Sequence, residues 1–237
     1  MNVNLLGEQW FELLKDEIQQ PYFQELTQKL KDEYRVAKVY PAPKDIFRAY
    51  KVTPPESIRV CICTQDPYPF DNHADGIAFS SQQTETPFSL RMIFRELDRD
   101  LFHTNNKEEF KQIFPTNNLE NWSKKGIFLL NSCLTVRAGL PGSHANIGWE
   151  QFIYRTVDIL YKYNTPVIFV CFGNEAKKIV EQCRLNNTNN QPVFYFGHPA
   201  TASKGKGKDN FSGCNFGSKV NHWLWKNGLE EINWSLR

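Results

Sequence analysis

"CICTQDPYPF", residues 61–70, runs four small or apolar residues straight into Gln65, Asp66, Pro67, Tyr68 and Pro69. The apolar part reads as a strand buried on both faces, because no polar residue alternates with the apolar ones. An acid set between a glutamine and a rigid proline at the end of such a strand asks for a reason.

Three more short runs share the pattern. Residues 58–63, 127–130, 167–171 and 193–196 are each four to six residues long and rich in β-branched or aromatic types. Helical spacing separates them. Leu90, Ile93, Phe94, Leu97 and Leu101 recur every three or four residues, with Ser89 placed to cap the helix. Trp149, Phe152, Ile153, Val157 and Leu160 repeat the spacing, as do Ala176, Ile179, Val180 and Cys183. A last helix is expected over 217–226, with Gly228 as its stop. Ahead of the first strand, Trp10, Leu13, Leu14 and Ile18 form one stripe. Pro21 interrupts it, and Tyr22, Phe23, Leu26 and Leu30 resume it. Prolines 41, 43, 54 and 55 make the following stretch irregular, with one helical turn expected over 45–50.

Strand alternating with helix predicts an α/β fold: a three-layer sandwich around a short, mainly parallel four-stranded sheet with helices on both faces. A length of 237 residues suits one large domain better than two. Residues 1–55 are expected as a helical lead-in and 56–235 as the core. Apolar residues make up 41% and charged residues 23%, the balance of a folded globule. The formal charge of +2 demands no polyanionic partner unless it is locally concentrated. No apolar run is long enough to span a membrane. The N-terminus, with Glu8 and Glu12, does not read as a signal peptide. The six cysteines include no CxxC pair, so no metal site is expected and a reducing interior, cytoplasm or nucleus, fits best.

Ligands in parallel sheets bind beyond the carboxyl ends of the strands. The four expected strands end at Gln65-Asp66, Asn131, Gly173-Asn174 and Gly197-His198-Pro199. Polar or small residues thus stand at all four places where a site should lie.

These residues make the chain recognisable. It resembles the uracil-DNA glycosylase family, in the group that carries a Gln-Asp-Pro-Tyr motif. "QDPYP" at 65–69 is followed by "GIAFS" at 76–80, "PFSLRMIFREL" at 87–97 and "WSKKGIFLLNSCLTVRAG" at 122–139. "SHANIGWEQF" at 143–152, "GNEAKK" at 173–178, "GHPA" at 197–200, "GCNF" at 213–216 and "INW" at 232–234 complete the order.

The resemblance implies hydrolysis of uracil from DNA without a Schiff base. Breaking that bond places positive charge on the sugar and negative charge on the base, so an anion near one and donors near the other are needed. As the resemblance implies, Asp66 stabilises the sugar and orients water, while His198 donates to the uracil O2. Asn131 reads the base edge, Phe79 stacks on the extruded base, Gln65 helps bind it, and Tyr68 excludes a thymine methyl. Pro87, Ser89, Gly173, Asn174 and Ala200 would meet the DNA backbone. No cofactor is implied; the glycines at 205 and 207 lie in a basic loop and lack phosphate-loop spacing. The implied partners are uracil-containing DNA, single- or double-stranded, and a DNA-mimicking protein inhibitor.

The chain departs from the family pattern at several positions. Thr64 stands where the family has glycine, Pro69 where it has histidine, and Ala200 where it has serine. Asn174 follows Gly173 where the family has serine. Ala202 falls nearest to a leucine that other members drive into the duplex. Residues 198–219 hold lysines 204, 206, 208 and 219 against one acid, Asp209. Lys204, Lys206 and Lys208 are therefore expected to grip phosphates, which would favour charge over insertion and suit single-stranded DNA. Two other readings stay open: excision of another modified pyrimidine, and DNA binding or a replication role on the same fold with weak catalysis.

Overall fold

The computed structural model describes residues 3–163, 165–202 and 211–237. Short helices α1 (Val3–Leu6) and α2 (Glu8–Leu14) lead to a longer one, α3 (Pro21–Val36). Strand β1 (Val39–Tyr40), helix α4 (Arg48–Val52) and strand β2 (Val60–Thr64) follow. Helices α5 (Phe88–Leu97), α6 (Lys107–Ile113) and α7 (Glu120–Lys124) come before β3 (Ile127–Asn131) and β4 (Val136–Arg137). The chain then alternates: α8 (Trp149–Tyr161), β5 (Ile168–Phe172), α9 (Asn174–Asn186), β6 (Val193–Phe196) and α10 (Phe216–Lys226).

Four strands form one parallel sheet in the order β3-β2-β5-β6, as the sequence pattern predicts. Every residue of β2, β3 and β5 is buried, whereas edge strand β6 is half-buried throughout. On one face Phe128 stacks on Trp10 of α2 at 5.4 Å and meets Tyr50 of α4 edge-on at 5.2 Å. Cys63 and Leu130 face Val157 of α8 and Val180 of α9 across a narrow seam on the same face. On the opposite face Phe172 packs edge-on against Phe211 and against Phe216 of α10, each at 5.3 Å. Among the described residues no helix is long and apolar enough to cross a membrane.

Local expectations fare unevenly. The helical stretch is interrupted ahead of Pro21 as read: α2 ends at Leu14, and Pro21 opens α3 at a position where its missing N–H costs nothing. Ser89 does not cap α5. Pro87 holds the cap position, the helix begins at Phe88, and Ser89 is buried in the first turn. The terminator at 228 is as read: Gly228 takes a φ of 69° while Leu229 N–H bonds back to Leu224 C=O at 2.9 Å. Helix α6 escaped the apolar pattern because none of its residues is buried. Its signal is a cap, with Asn106 Oδ1 accepting from Glu108 and Glu109 N–H at 3.0 Å each.

The turn into β3 depends on one glycine. Gly126 has a φ of 83°, and a Cβ there would lie 2.4 Å from the Ser57 carbonyl oxygen. Its own carbonyl accepts from Arg59 N–H at 2.9 Å and Val60 N–H at 3.1 Å, which starts the β2–β3 ladder. Gly126→Ala is expected to cost about 2–4 kcal/mol, from backbone strain plus displacement of the Ser57 backbone. Urea unfolding of the variant measures this, and a loss under about 0.5 kcal/mol, the range of neutral surface changes, would show that the turn is not constrained as described.

Candidate active site

Parallel pairing in register brings all four strand ends to one edge of the sheet. Thr64 pairs with Asn131, and Phe172 with Phe196. Beyond these last pairs lies a cavity of about 440 Å³. Gln65, Asp66, Tyr68, Phe79, Asn131, His198, Pro87, Ser89 and Ala200 all line it. Gly173 and Asn174 line a neighbouring cavity of about 420 Å³, which shares Gln65 and His198 with the first. Ala202 lines neither of these cavities; it is half-buried against the core. Lys204, Lys206 and Lys208, with the glycines at 205 and 207, lie outside the described residues.

Asp66 is held by the loop after β4. Gly142 N–H donates to its Oδ2 at 2.6 Å. Burial pushes this carboxyl above its ordinary value, and the Gly142 N–H opposes that rise. Gly142 was not singled out in the sequence; "PG" at 141–142 marks a turn but not its partner. The loop is itself anchored through His144, whose Nδ1 lies 2.8 Å from Thr135 Oγ1 and whose Nε2 lies 3.2 Å from Glu33 Oε2.

Phe79 lies at the cavity wall with a φ of 63°, a left-handed conformation that is uncommon for a bulky residue. Its neighbours impose this. Ala78 N–H is bound to Leu129 C=O at 3.2 Å, and the Tyr68 hydroxyl donates to Phe79 C=O at 3.2 Å. Upstream, fully buried Asp75 pairs with Arg48 at 2.6 Å and accepts from Ser80 Oγ at 2.8 Å. A left-handed backbone at a bulky residue that lines the cavity points to a functional demand on where its ring is placed.

His198 has a defined tautomer. Ala200 N–H can only donate, and it donates to Nδ1 at 3.1 Å. A neutral ring must then carry its hydrogen on Nε2. Nε2 faces Thr64 Oγ1 at 3.1 Å, so the departure at position 64 places an acceptor beside this donor. Burial lowers the His198 pKa to about 4. At neutral pH the ring is therefore an uncharged donor at the cavity wall, with its Nε2–H toward Thr64 Oγ1.

Asn131 completes the floor. It is 6% exposed, and its Oδ1 is buried with no hydrogen-bond partner among the described residues. An orphan of this kind inside a cavity is what a missing ligand would satisfy.

Residues 50–225 match the Uracil DNA glycosylase superfamily. The chain belongs to that superfamily. Over 233 residues it is 41% identical to "Uracil-DNA glycosylase 2" of Listeria monocytogenes, covering 98% of this chain and 97% of that protein. It is 39% identical over 229 residues to the uracil-DNA glycosylase of Coxiella burnetii, covering 96% and 94%. Among solved structures, a mimivirus uracil-DNA glycosylase superposes with a TM-score of 0.83 at 26% identity, covering 100% of this chain and 90% of that one. A variant of the mimivirus protein in complex with UGI gives 0.84, with the same identity. The likeness to these relatives runs along almost the whole chain.

The His198 assignment predicts a direct observable. In ¹⁵N-imidazole NMR spectra the ring should show the Nε2–H tautomer at pH 7 and should stay neutral down to about pH 5, one unit above its lowered pKa. Titration near the ordinary value of about 6.5 would show that the ring is not desolvated as described.

Proposed function

We propose that the chain hydrolyses the N-glycosidic bond of uracil in DNA, taking up an extruded nucleotide and leaving free uracil and an abasic site. The observation that carries the residue assignments is the orphan Oδ1 of Asn131 on the cavity floor. Leaving a buried acceptor unpaired costs about 1–3 kcal/mol, which a ligand N–H removes. Uracil presents N3–H beside the O4 carbonyl, and one side-chain amide offers an acceptor and a donor to match. The Phe79 ring supplies an apolar face for the base. Tyr68, set between the buried prolines 67 and 69, closes the side where a 5-methyl group would sit. That placement supports uracil over a methylated pyrimidine.

As the bond lengthens, charge gathers on the uracil O2, and Nε2–H of His198 donates to it. At rest the same hydrogen faces Thr64 Oγ1, a weaker acceptor than an oxygen becoming anionic, so the donor turns to the base when it is needed. No proton need leave the ring. The Asp66 carboxylate faces the sugar and offsets its positive charge. A cavity of about 460 Å³ lies on the other side of Asp66, lined also by Ser132, Gly142, Asn146 and Glu150, and gives room for the attacking water. Gln65 lines all three cavities and is placed to help bind the base.

Pro87 and Ser89 on the α5 side, and Asn174 at the start of α9, border the cavities where the flanking backbone would pass. Gly173 and Ala200 contribute closeness rather than donors, because their N–H groups already bind Phe196 C=O and His198 Nδ1. The partners are uracil-containing DNA, single- or double-stranded, and a protein inhibitor of the kind represented by UGI, which the mimivirus relative binds.

Asp66→Asn should leave the fold and DNA binding intact while lowering single-turnover excision at least ~100-fold, the lower range for a positioned catalytic group. A variant within threefold of the parent would remove Asp66 from the chemistry. Asn131→Asp replaces the donor that faces O4, and the ratio of uracil to cytosine released from matched strands should fall at least ~10-fold, the scale of one lost hydrogen bond. Unchanged selectivity would mean that the base is read elsewhere.

A further inference from the structure

The chain has 18 phenylalanines, and two of them stand exposed. They are Phe70, at 58% exposure, and Phe88, at 42%. Both line the mouth of the same cavity, the one that holds Asp66, Asn131 and His198. They reach it from separate loops. Phe70 follows the tyrosine–proline turn after β2, and Phe88 opens α5. From the rim inward, Phe70 meets His73 edge-on at 5.7 Å, and His73 meets Tyr68 edge-on at 5.9 Å. Aromatic surface is thus continuous from solvent to the base-binding wall. The Arg91 guanidinium sits over the Phe88 ring at 5.6 Å and brings a cation to the same rim.

We propose that Phe70 and Phe88 form a stacking subsite for the unpaired nucleobases next to the excised uracil, which adapts the enzyme to single-stranded DNA. The inference rests on the reading of the cavity as the uracil pocket. Its first support is connectivity. A nucleotide that enters the cavity is covalently joined to two neighbours, and these are delivered to the rim whatever their sequence. A nucleobase offers a flat π-face of the type that exposed phenyl rings accept, and such stacking tolerates any base. In a duplex those faces are already covered by the adjacent pairs, so the rings gain most on single strands. The second support is independent: Ala202, the residue that falls nearest to the inserted leucine of the family pattern, lines neither that cavity nor its neighbour. Exposed Gln65 lines the same cavity, so its rim is not purely apolar, which suits separate bases better than a protein partner.

The test uses the full-length parent, the double variant Phe70→Ala/Phe88→Ala and the conservative pair Phe70→Tyr/Phe88→Tyr. One probe is a single-stranded oligonucleotide with one uracil. Another has the bases on each side of that uracil replaced by tetrahydrofuran abasic units. A 2′-fluoro-deoxyuridine version of each, whose glycosidic bond resists hydrolysis, reads binding without catalysis. Intact flanks should improve parent affinity by at least about 5- to 150-fold over abasic flanks, the range for one stacked base. The alanine pair should lose that advantage and converge with the parent on the abasic-flanked strand, while the tyrosine pair retains it. The loss should be larger on single strands than on duplex. Parent binding that ignores the flanking bases would overturn the subsite and leave excision standing. Flank-dependent binding by a parent that does not release uracil would overturn the excision reading and leave the subsite. An alanine pair that weakens both strands equally would show that the rings act on the pocket itself, which also overturns the proposal.

Discussion

The site depends on hydrogen bonds that carry the β2–β3 ladder past the last paired residues. Ser132 N–H donates to Thr64 C=O at 2.8 Å, and Cys133 N–H donates to Gln65 C=O at 3.0 Å. The Ser132 hydroxyl adds a second bond to the Gln65 carbonyl at 2.8 Å. Two chains that have left the sheet are thereby kept in step for one more residue each. Asn131, the last residue of β3, and Asp66, two residues past the end of β2, become parts of one rigid edge, and the loops that follow can diverge without moving either. Side chains placed on regular elements hold their geometry better than those on free loops.

Burial acts on the two proposed catalytic groups in the same sense and yields opposite results. It disfavours charge on Asp66 and on His198 alike. Asp66 has backbone donors directed at its oxygens, Gly142 among them, and these favour the carboxylate. Among the described residues the His198 ring bonds a backbone N–H and a threonine hydroxyl, neither of them an acid. The donors offset part of the rise at Asp66, while His198 stays neutral, and the two environments suit an anion beside the sugar and an uncharged donor beside the base.

Much of this was legible in the chain. The four strands could be read from short apolar runs without alternation, and the site followed from where those runs stop. Asp66, Asn131 and His198 could be named because a strand end is a fixed place. Contacts between distant loops could not be read. Nothing in "LPG" at 140–142 says that its amide meets Asp66, and nothing in "ADG" at 74–76 says that its acid is buried against Arg48. Ser89 misled because serine before an apolar stripe usually caps, whereas here Pro87 takes the position and the serine turns inward. Phe70 and Phe88 were invisible for a different reason: sequence alone treats phenylalanine as core, and only the fold distinguishes the two that are not.

The contact that fixes the His198 tautomer comes from the main chain of residue 200 and not from its side chain. An alanine supplies that N–H as well as a serine does. Drift at this position is therefore free to alter how the loop meets DNA while the imidazole keeps the same hydrogen on the same nitrogen. Only proline, which has no N–H to give, would break the arrangement. The chemistry and the grip on the nucleic acid are thus separable within a single residue, one carried by its backbone and the other by its side chain.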